Sequence, residues 1–341
     1  MKDNNSYSSE EVRSGLILVI TIGVLCTAFT HMLHSSLFDP LLVSLLLGIL
    51  IGSSSMDMRK YQPGIARAIS VFIPVGIVFY GLSSLNFARI TEVEPSRLIL
   101  IIAVMVIYFA VILLSGRLLK QRKQITYLTA SGSAICGASA IAVASPAIEA
   151  EPDDVSISLL SVAIAAFVGF ALVIPFIAAL LDIKCRDFCF LSGSTLQFTG
   201  LVKIAERYTP FLRKDMQASE MLSLALTVKS VRYLGLLVVI PLFSSLVKKK
   251  LTFPWFLWAF LAAGVAGTWL YSIEGTRVHS KIVPYINPIH VISWSIAMTS
   301  IGLKADVKKL LSNNGAKALI MAFAGFFAAI FTFLAGIYFT L

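Results

Sequence analysis

Charge is what this sequence has least of: 13% of its 341 residues are Asp, Glu, Lys or Arg, where soluble domains carry roughly 25%. That shortage excludes an ordinary soluble domain, and no interval between the apolar runs is long enough to hold one. A small-residue cleavage site is missing after the polar opening MKDNNSYSSEEVR, so no secretory signal is expected and the first apolar run is expected to be retained. The four cysteines, Cys26, Cys136, Cys185 and Cys189, form neither a zinc-type double pair nor an even extracellular framework, and free thiols are expected. Carboxylates are missing from the deep part of every apolar run. A cation antiporter generally needs an intramembrane Asp or Glu to hold its ion, so this absence argues against one.

What is present is apolar. Hydrophobic residues make up 57% of the chain, and the mean hydropathy is +0.87. Stretches of about 20 residues recur along the whole length, each long enough to cross a hydrocarbon core of ~30 Å. The pattern predicts an all-α polytopic membrane protein with about eleven transmembrane helices, near 14–32, 37–53, 64–86, 96–119, 125–147, 155–182, 187–206, 216–247, 254–273, 282–303 and 315–340. The net charge of +10 would suggest nucleic acid in a soluble protein, but the cations sit in short loops beside apolar spans. They read as topology signals. Grouping Arg59, Lys60, Arg117, Lys120, Arg122, Lys123, Lys184, Arg186 and Lys248–Lys250 on one side predicts an inner (plasma) membrane protein with a cytoplasmic N terminus and an external C terminus. The acidic loop Glu149, Glu151, Asp153 and Asp154 then falls outside.

The odd number of spans suggests residues 1–36 as a tail and accessory helix, followed by two five-helix sets, 37–182 and 187–341, the second inverted relative to the first. A second pattern cuts across this one. LTASGSAICGASA near 128–140 resembles FLSGSTLQFTG at 190–200, and each leads to a span containing Val-Ile-Pro (173–175 and 239–241). Two helices apart, those segments would be parallel.

Three spans, 125–147, 187–206 and 282–303, are the least hydrophobic and hold most of the small and polar residues, and with 216–247 they carry the candidate chemistry. Ser131–Ser139 is small at nearly every position. It fits either close helix packing or a broken helix whose freed amides, with Ser133 and Ser139, face a cavity. Ser192–Lys203 places Thr195, Thr199 and Lys203 at i, i+4 and i+8 on one helical face, with Lys203 able to reach Glu206. Lys229 and Arg232 lie one turn apart, deep in 216–247. Each costs at least ~2.5–3.5 kcal/mol near mid-membrane, and each faces either a functional cavity or structural partners such as helix C-terminal carbonyls or Glu220. In the third segment, Pro284 and Pro288 suggest a break near Asn287 and Pro288, His290 is either a proton carrier or a packing residue, and Thr299 and Ser300 either finish the broken segment or simply pack.

The motif Gly132-Ser-Ala-Ile-Cys-Gly-Ala-Ser-Ala140 resembles the YeiH-type conserved membrane proteins, a family that carries a sulfate-exporter label. Val228-Lys-Ser-Val-Arg232 and Ile301-Gly-Leu-Lys-Ala-Asp306 are similar to further motifs of that family, and the resemblance covers about 40–310. It implies the wider bile-acid symporter and sodium/proton antiporter fold group, with a panel domain, a core domain and two crossing discontinuous helices. Where many relatives carry His within Ser-x-His-(Glu/Asp), this chain has Leu196.

The expected function is alternating-access, secondary-active transport of a small anion such as sulfate, sulfite, a sulfonate or a carboxylate. The candidate binding residues are Ser133, Cys136, Gly137, Ser139, Ser194, Thr195, Gln197, Thr199, Lys229, Arg232, Asn287, His290, Thr299 and Ser300. Alternatives are a sodium-coupled organic-anion symporter and a non-transporting membrane sensor or scaffold. Expected partners are the anion and membrane lipid, with a homodimer also considered and no nucleic acid. No cofactor or metal is expected beyond a coupling Na⁺ or H⁺, and the lack of a metal cluster or nucleophile–base pair argues against an enzyme.

Overall fold

The computed structural model describes residues 9–33, 39–54, 57–84, 87–91, 93–205, 216–249, 255–305 and 312–340, and all regular structure among them is helical. In chain order the helices are α1 (Ser9–Met32), α2 (Pro40–Gly52), α3 (Gln62–Ser84), α4 (Pro95–Leu118), α5 (Lys123–Ser131), α6 (Ala138–Ala147) and α7 (Pro152–Leu180, with a π-helical turn at Gly169–Val173). They continue with α8 (Cys185–Thr195), α9 (Thr199–Ala205), α10 (Ala218–Tyr233), α11 (Gly235–Lys248), α12 (Trp255–Lys304) and α13 (Asn313–Thr340). Among the described residues, six helical stretches are long and apolar enough to cross a membrane: Ser9–Met32, Arg59–Leu82, Pro95–Leu118, Pro152–Leu180, Glu220–Lys248 and Asn313–Phe339.

Local chemistry sets several boundaries. The Asp39 carboxylate accepts from the Leu41 and Leu42 amides, and Pro40 occupies the first turn, where its missing N–H costs nothing. Glu151 and Asp154 form a reciprocal capping box ahead of α7, and Gln217 and Glu220 form another ahead of α10.

The helices form two bundles. One contains α1, α2, α3 and α12; the other contains α4 to α8, α10 and α13. Each of the two sets expected from sequence therefore contributes to both bundles. The helix α12 is 50 residues long, about 75 Å if straight. Its contacts require it to reverse. The Tyr80 ring on α3 lies 6.3 Å from Phe260 and 5.6 Å from His290, residues a straight helix would set about 45 Å apart. Its two arms thus lie side by side against α3, as the separate spans 254–273 and 282–303 anticipate. The break expected near Asn287 and Pro288 does not occur, because the arm through them to Lys304 stays helical.

The larger correction concerns 125–147 and 187–206, expected as spans. Arg122, just before α5, pairs with Glu151 and Asp154, just beyond α6, both at 3.3 Å. A straight helix over 123–147 would separate its ends by about 37 Å. The Ser158 hydroxyl also donates to the Ile125 carbonyl at 3.2 Å. So α5 enters the bundle, turns, and α6 returns to the same end. The second segment behaves likewise. Phe188, Cys189 and Ser192 of α8 share one small cavity of about 10 Å³ with Val202 and Ala205 of α9 and Met221 of α10, so α9 doubles back beside α8.

Ion pairs mark the two ends. Lys248 meets Glu149 at 3.3 Å at the end where α5 enters. Arg97 meets Asp187 at 2.8 Å, and Arg186 meets Glu94, at the end where α8 enters. The two hairpins therefore enter from opposite ends. Lys184 and Arg186, expected beside Lys120 and Arg122, lie at the other end, and the acidic loop Glu149–Asp154 lies with Arg122. Because α5 and α6 begin and end at one end of the bundle, only α7 runs its length between the hairpins, so the two similar segments run in opposite directions.

Candidate functional site

The hairpin tips meet in the middle of the second bundle. Glycine-rich sequence ends α5 in a π-helical turn, Gly132–Cys136, followed by Gly137 at φ +69° and ψ −126°. That backbone region is essentially closed to residues with a Cβ. A Cβ on Gly137 would also lie 3.1 Å from the Phe198 ring of the other tip. In the second hairpin the chain is extended at Leu196 between α8 and α9. Thr195 and Thr199 therefore lie on two different helices, not on the single face expected from their spacing.

Each break exposes orphan carbonyls at the end of its first helix, and the two deep cations of α10 satisfy them. From Arg232, Nε donates to Ala134 O at 2.8 Å and Nη2 to Ser133 O at 2.7 Å. Its Nη1 donates to Leu196 O at 2.7 Å and to Gly193 O at 3.2 Å. One guanidinium thus ties both tips together. Lys229 Nζ donates to Gln197 O at 2.8 Å and to Leu196 O. Both side chains are fully buried. Charge-assisted bonds of ~1.5–3 kcal/mol each, made to the negative ends of two helix dipoles, offset the cost of placing cations there. Of the partners open in the sequence, the carbonyls are the ones found. Glu220 instead caps its own helix, accepting from Gln217 N at 3.3 Å.

Tyr108 of α4 braces the second tip. Its hydroxyl donates to Thr195 O at 2.7 Å and accepts from Gln197 Nε2 at 3.2 Å, while Arg232 lies 5.8 Å over its ring. The Ser194 and Thr195 hydroxyls return to Leu191 O on their own helix. Two buried polar atoms at the tips, Ser133 Oγ and Gln197 Oε1, have no hydrogen-bond partner.

Beside the tips runs the seam between the bundles. Thr199 Oγ1 lies 3.1 Å from the Tyr233 hydroxyl. The Tyr233 and Tyr80 rings are 5.5 Å apart, and the Tyr80 hydroxyl contacts both Tyr233 and Cys136. His290 stands 5.6 Å from Tyr80 and 5.7 Å from Trp294. Ser139, half-buried, opens α6.

The structure thus gathers Ser133, Cys136, Gly137, Ser139, Ser194, Thr195, Gln197, Thr199, Lys229 and Arg232 around the tips and sets His290 at the seam. Asn287, half-buried, lies about one turn before His290 on the same arm. Thr299 and Ser300 belong to the packing of the first bundle. The Thr299 backbone sits under Gly48 of α2, and Ser300 donates to Ile296 O at 2.8 Å. Lys203's side chain and Glu206 lie outside the described residues. Sequence reasoning missed Tyr80, Tyr108 and Tyr233, whose signal was a hydroxyl-bearing aromatic inside an apolar run. Among the described residues no group of three or more His, Cys, Asp or Glu is placed to hold a metal ion.

A family model described as "Conserved hypothetical protein 698" matches residues 14–322. A UPF0324 membrane protein of Archaeoglobus fulgidus is 28% identical over 313 residues, covering 91% of this chain and 88% of its own. One from Bacteroides thetaiotaomicron is 26% identical over 328 residues, covering 90% and 92%. A third, from Haemophilus influenzae, is 35% identical over 159 residues, covering 44% and 46%. No solved structure matches.

Proposed function

The chain belongs to the conserved hypothetical protein 698 family of membrane proteins, and from that premise we propose that it is a secondary-active transporter of a small anion. The observation that carries this reading is the meeting of two oppositely entering hairpin tips on Arg232 and Lys229. A break in a helix adds one negative end and one positive end, about −0.5 and +0.5 elementary charge, which cancel. The two buried cations do not cancel, and no carboxylate lies deep in the apolar sequence to neutralise them. A centre with this balance favours an anion such as sulfate, sulfite, a sulfonate or a carboxylate. The unpartnered Ser133 hydroxyl and the first amides of α6, from Ala138, are donors at the same place.

In this reading nine crossing segments and the two hairpins form an inverted arrangement, each hairpin being followed by a crossing helix, α7 or α10–α11. The end carrying Arg13, Arg59, Lys60, Arg117, Lys120, Arg122, Lys123, Lys248 and Lys249 is cytoplasmic. The N terminus lies there, and the C terminus lies on the outer face. Arg232, Lys229, Ser133 and Gln197 are sealed from solvent, so transport needs the second bundle to shift against the first along the Tyr80–Tyr233 seam. Uptake of labelled anions into proteoliposomes tests the proposal. Saturable uptake of at least one of sulfate, sulfite, a sulfonate or a small carboxylate is expected, and absence of uptake across that panel by folded protein would overturn it.

A further inference from the structure

The carbonyl pair at the second tip has the chemistry of a cation site. Carbonyls freed by an unwound helix, at the negative end of its dipole, are the groups that hold a monovalent ion in broken-helix transporters. Leu196 O and Gln197 O are such carbonyls, placed just past α8. Here the Lys229 ammonium occupies them, reaching across from α10 with Arg232 and Cys136 as its titratable neighbours. Leu196 O also accepts from Arg232, so it faces two positive groups at once. Both carbonyls belong to the backbone and therefore persist in any variant at position 229.

We propose that Leu196 O and Gln197 O form a monovalent-cation site whose permanent occupant is the Lys229 ammonium, which stands in for a coupling ion. Removing that ammonium leaves the site able to bind Na⁺, K⁺ or a small alkylammonium. The consequence for coupling rests on the transporter reading: wild-type transport is independent of sodium, and Lys229→Ala makes what transport remains depend on it.

The test reads stability, which needs no substrate, so it separates this proposal from the identity of the anion. Thermal unfolding of purified wild type, Lys229→Ala and Lys229→Met is followed in chloride salts of choline, sodium, potassium and methylammonium at equal ionic strength. Wild type is expected to unfold at one temperature in all four. Lys229→Ala should unfold earlier in choline, and sodium, potassium or methylammonium should return part of the loss, the shift growing with the logarithm of cation concentration. The sodium, potassium and methylammonium arms identify which cation the vacated site takes. Lys229→Met, whose unbranched apolar chain fills the space, should not respond. The proposal is overturned if Lys229→Ala behaves alike in all four salts or if Lys229→Met responds as strongly as Lys229→Ala. Should Lys229→Ala not survive extraction in choline, its folded yield in methylammonium against choline becomes the readout, and equal yields overturn the idea.

Discussion

Replacing Arg232 with Ala strips four backbone carbonyls, Ser133 O, Ala134 O, Gly193 O and Leu196 O, of a charged donor. At ~1.5 kcal/mol, the low end for a charge-assisted bond, four bonds amount to roughly 6 kcal/mol. Losing the guanidinium also recovers the ~2.5–3.5 kcal/mol that holding it in an apolar interior costs. The net destabilisation is then about 3 kcal/mol, on the order of 6–12 °C in unfolding temperature at the slope of soluble domains. Arg232→Lys should recover only part of this, since an ammonium cannot reproduce the planar fork that spans both tips. The assay is thermal unfolding of purified protein, with Tyr108→Phe as a control that removes a hydroxyl from the second tip only. An Arg232→Ala protein that unfolds within about 2 °C of wild type would refute the idea that this side chain fastens the hairpins together.

Topology and strain supply two more expectations. In a cysteine-free background, Lys120→Cys and Glu149→Cys should both react with an impermeant maleimide from one face, and Arg186→Cys from the other. Reaction of Lys120→Cys and Glu149→Cys from opposite faces would restore 125–147 as a crossing helix. Gly137→Ala should lose ~1–3 kcal/mol from its backbone conformation and press on Phe198, lowering both unfolding temperature and uptake. Wild-type values for Gly137→Ala would show that the tip does not need this conformation.

Much of this architecture was legible in the sequence, and the part that was not has a physical reason. Apolar run lengths mark the helical stretches long enough to cross a membrane, and the small-residue density around Gly137 and the polar run after Ser192 mark both tips. A stretch of 25 residues that enters and returns, however, has the same length and composition as one that crosses. The Arg122 contacts with Glu151 and Asp154, together with the Ser158 bond to the Ile125 carbonyl, separate the two. Counting 125–147 as a crossing shifted every later loop to the wrong face until 187–206, counted the same way, shifted it back. That is why the acidic loop, Lys184 and Arg186 were misplaced while the predicted end for Lys248 agrees with the structure. Pro284 and Pro288 suggested a break that their helix tolerates, since Pro removes one donor but leaves no run of orphan carbonyls. The breaks lie at Gly137 and Leu196, where Arg232 binds freed carbonyls of both tips and Lys229 those of the second. Their role as a clasp was among the sequence alternatives, but the carbonyls they bind come from residues far away in the chain.

Accessibility of Ser139, at the start of α6 beside both tips, tests alternating exposure of the centre most directly. With the native cysteines removed, Ser139→Cys in oriented vesicles is treated with a small charged thiosulfonate from each face in turn, with and without the transported anion. Alternating access requires modification from both faces, slowed by the anion on each. Modification from one face only, or rates that the anion leaves unchanged, would contradict a central site opened to the two sides in turn.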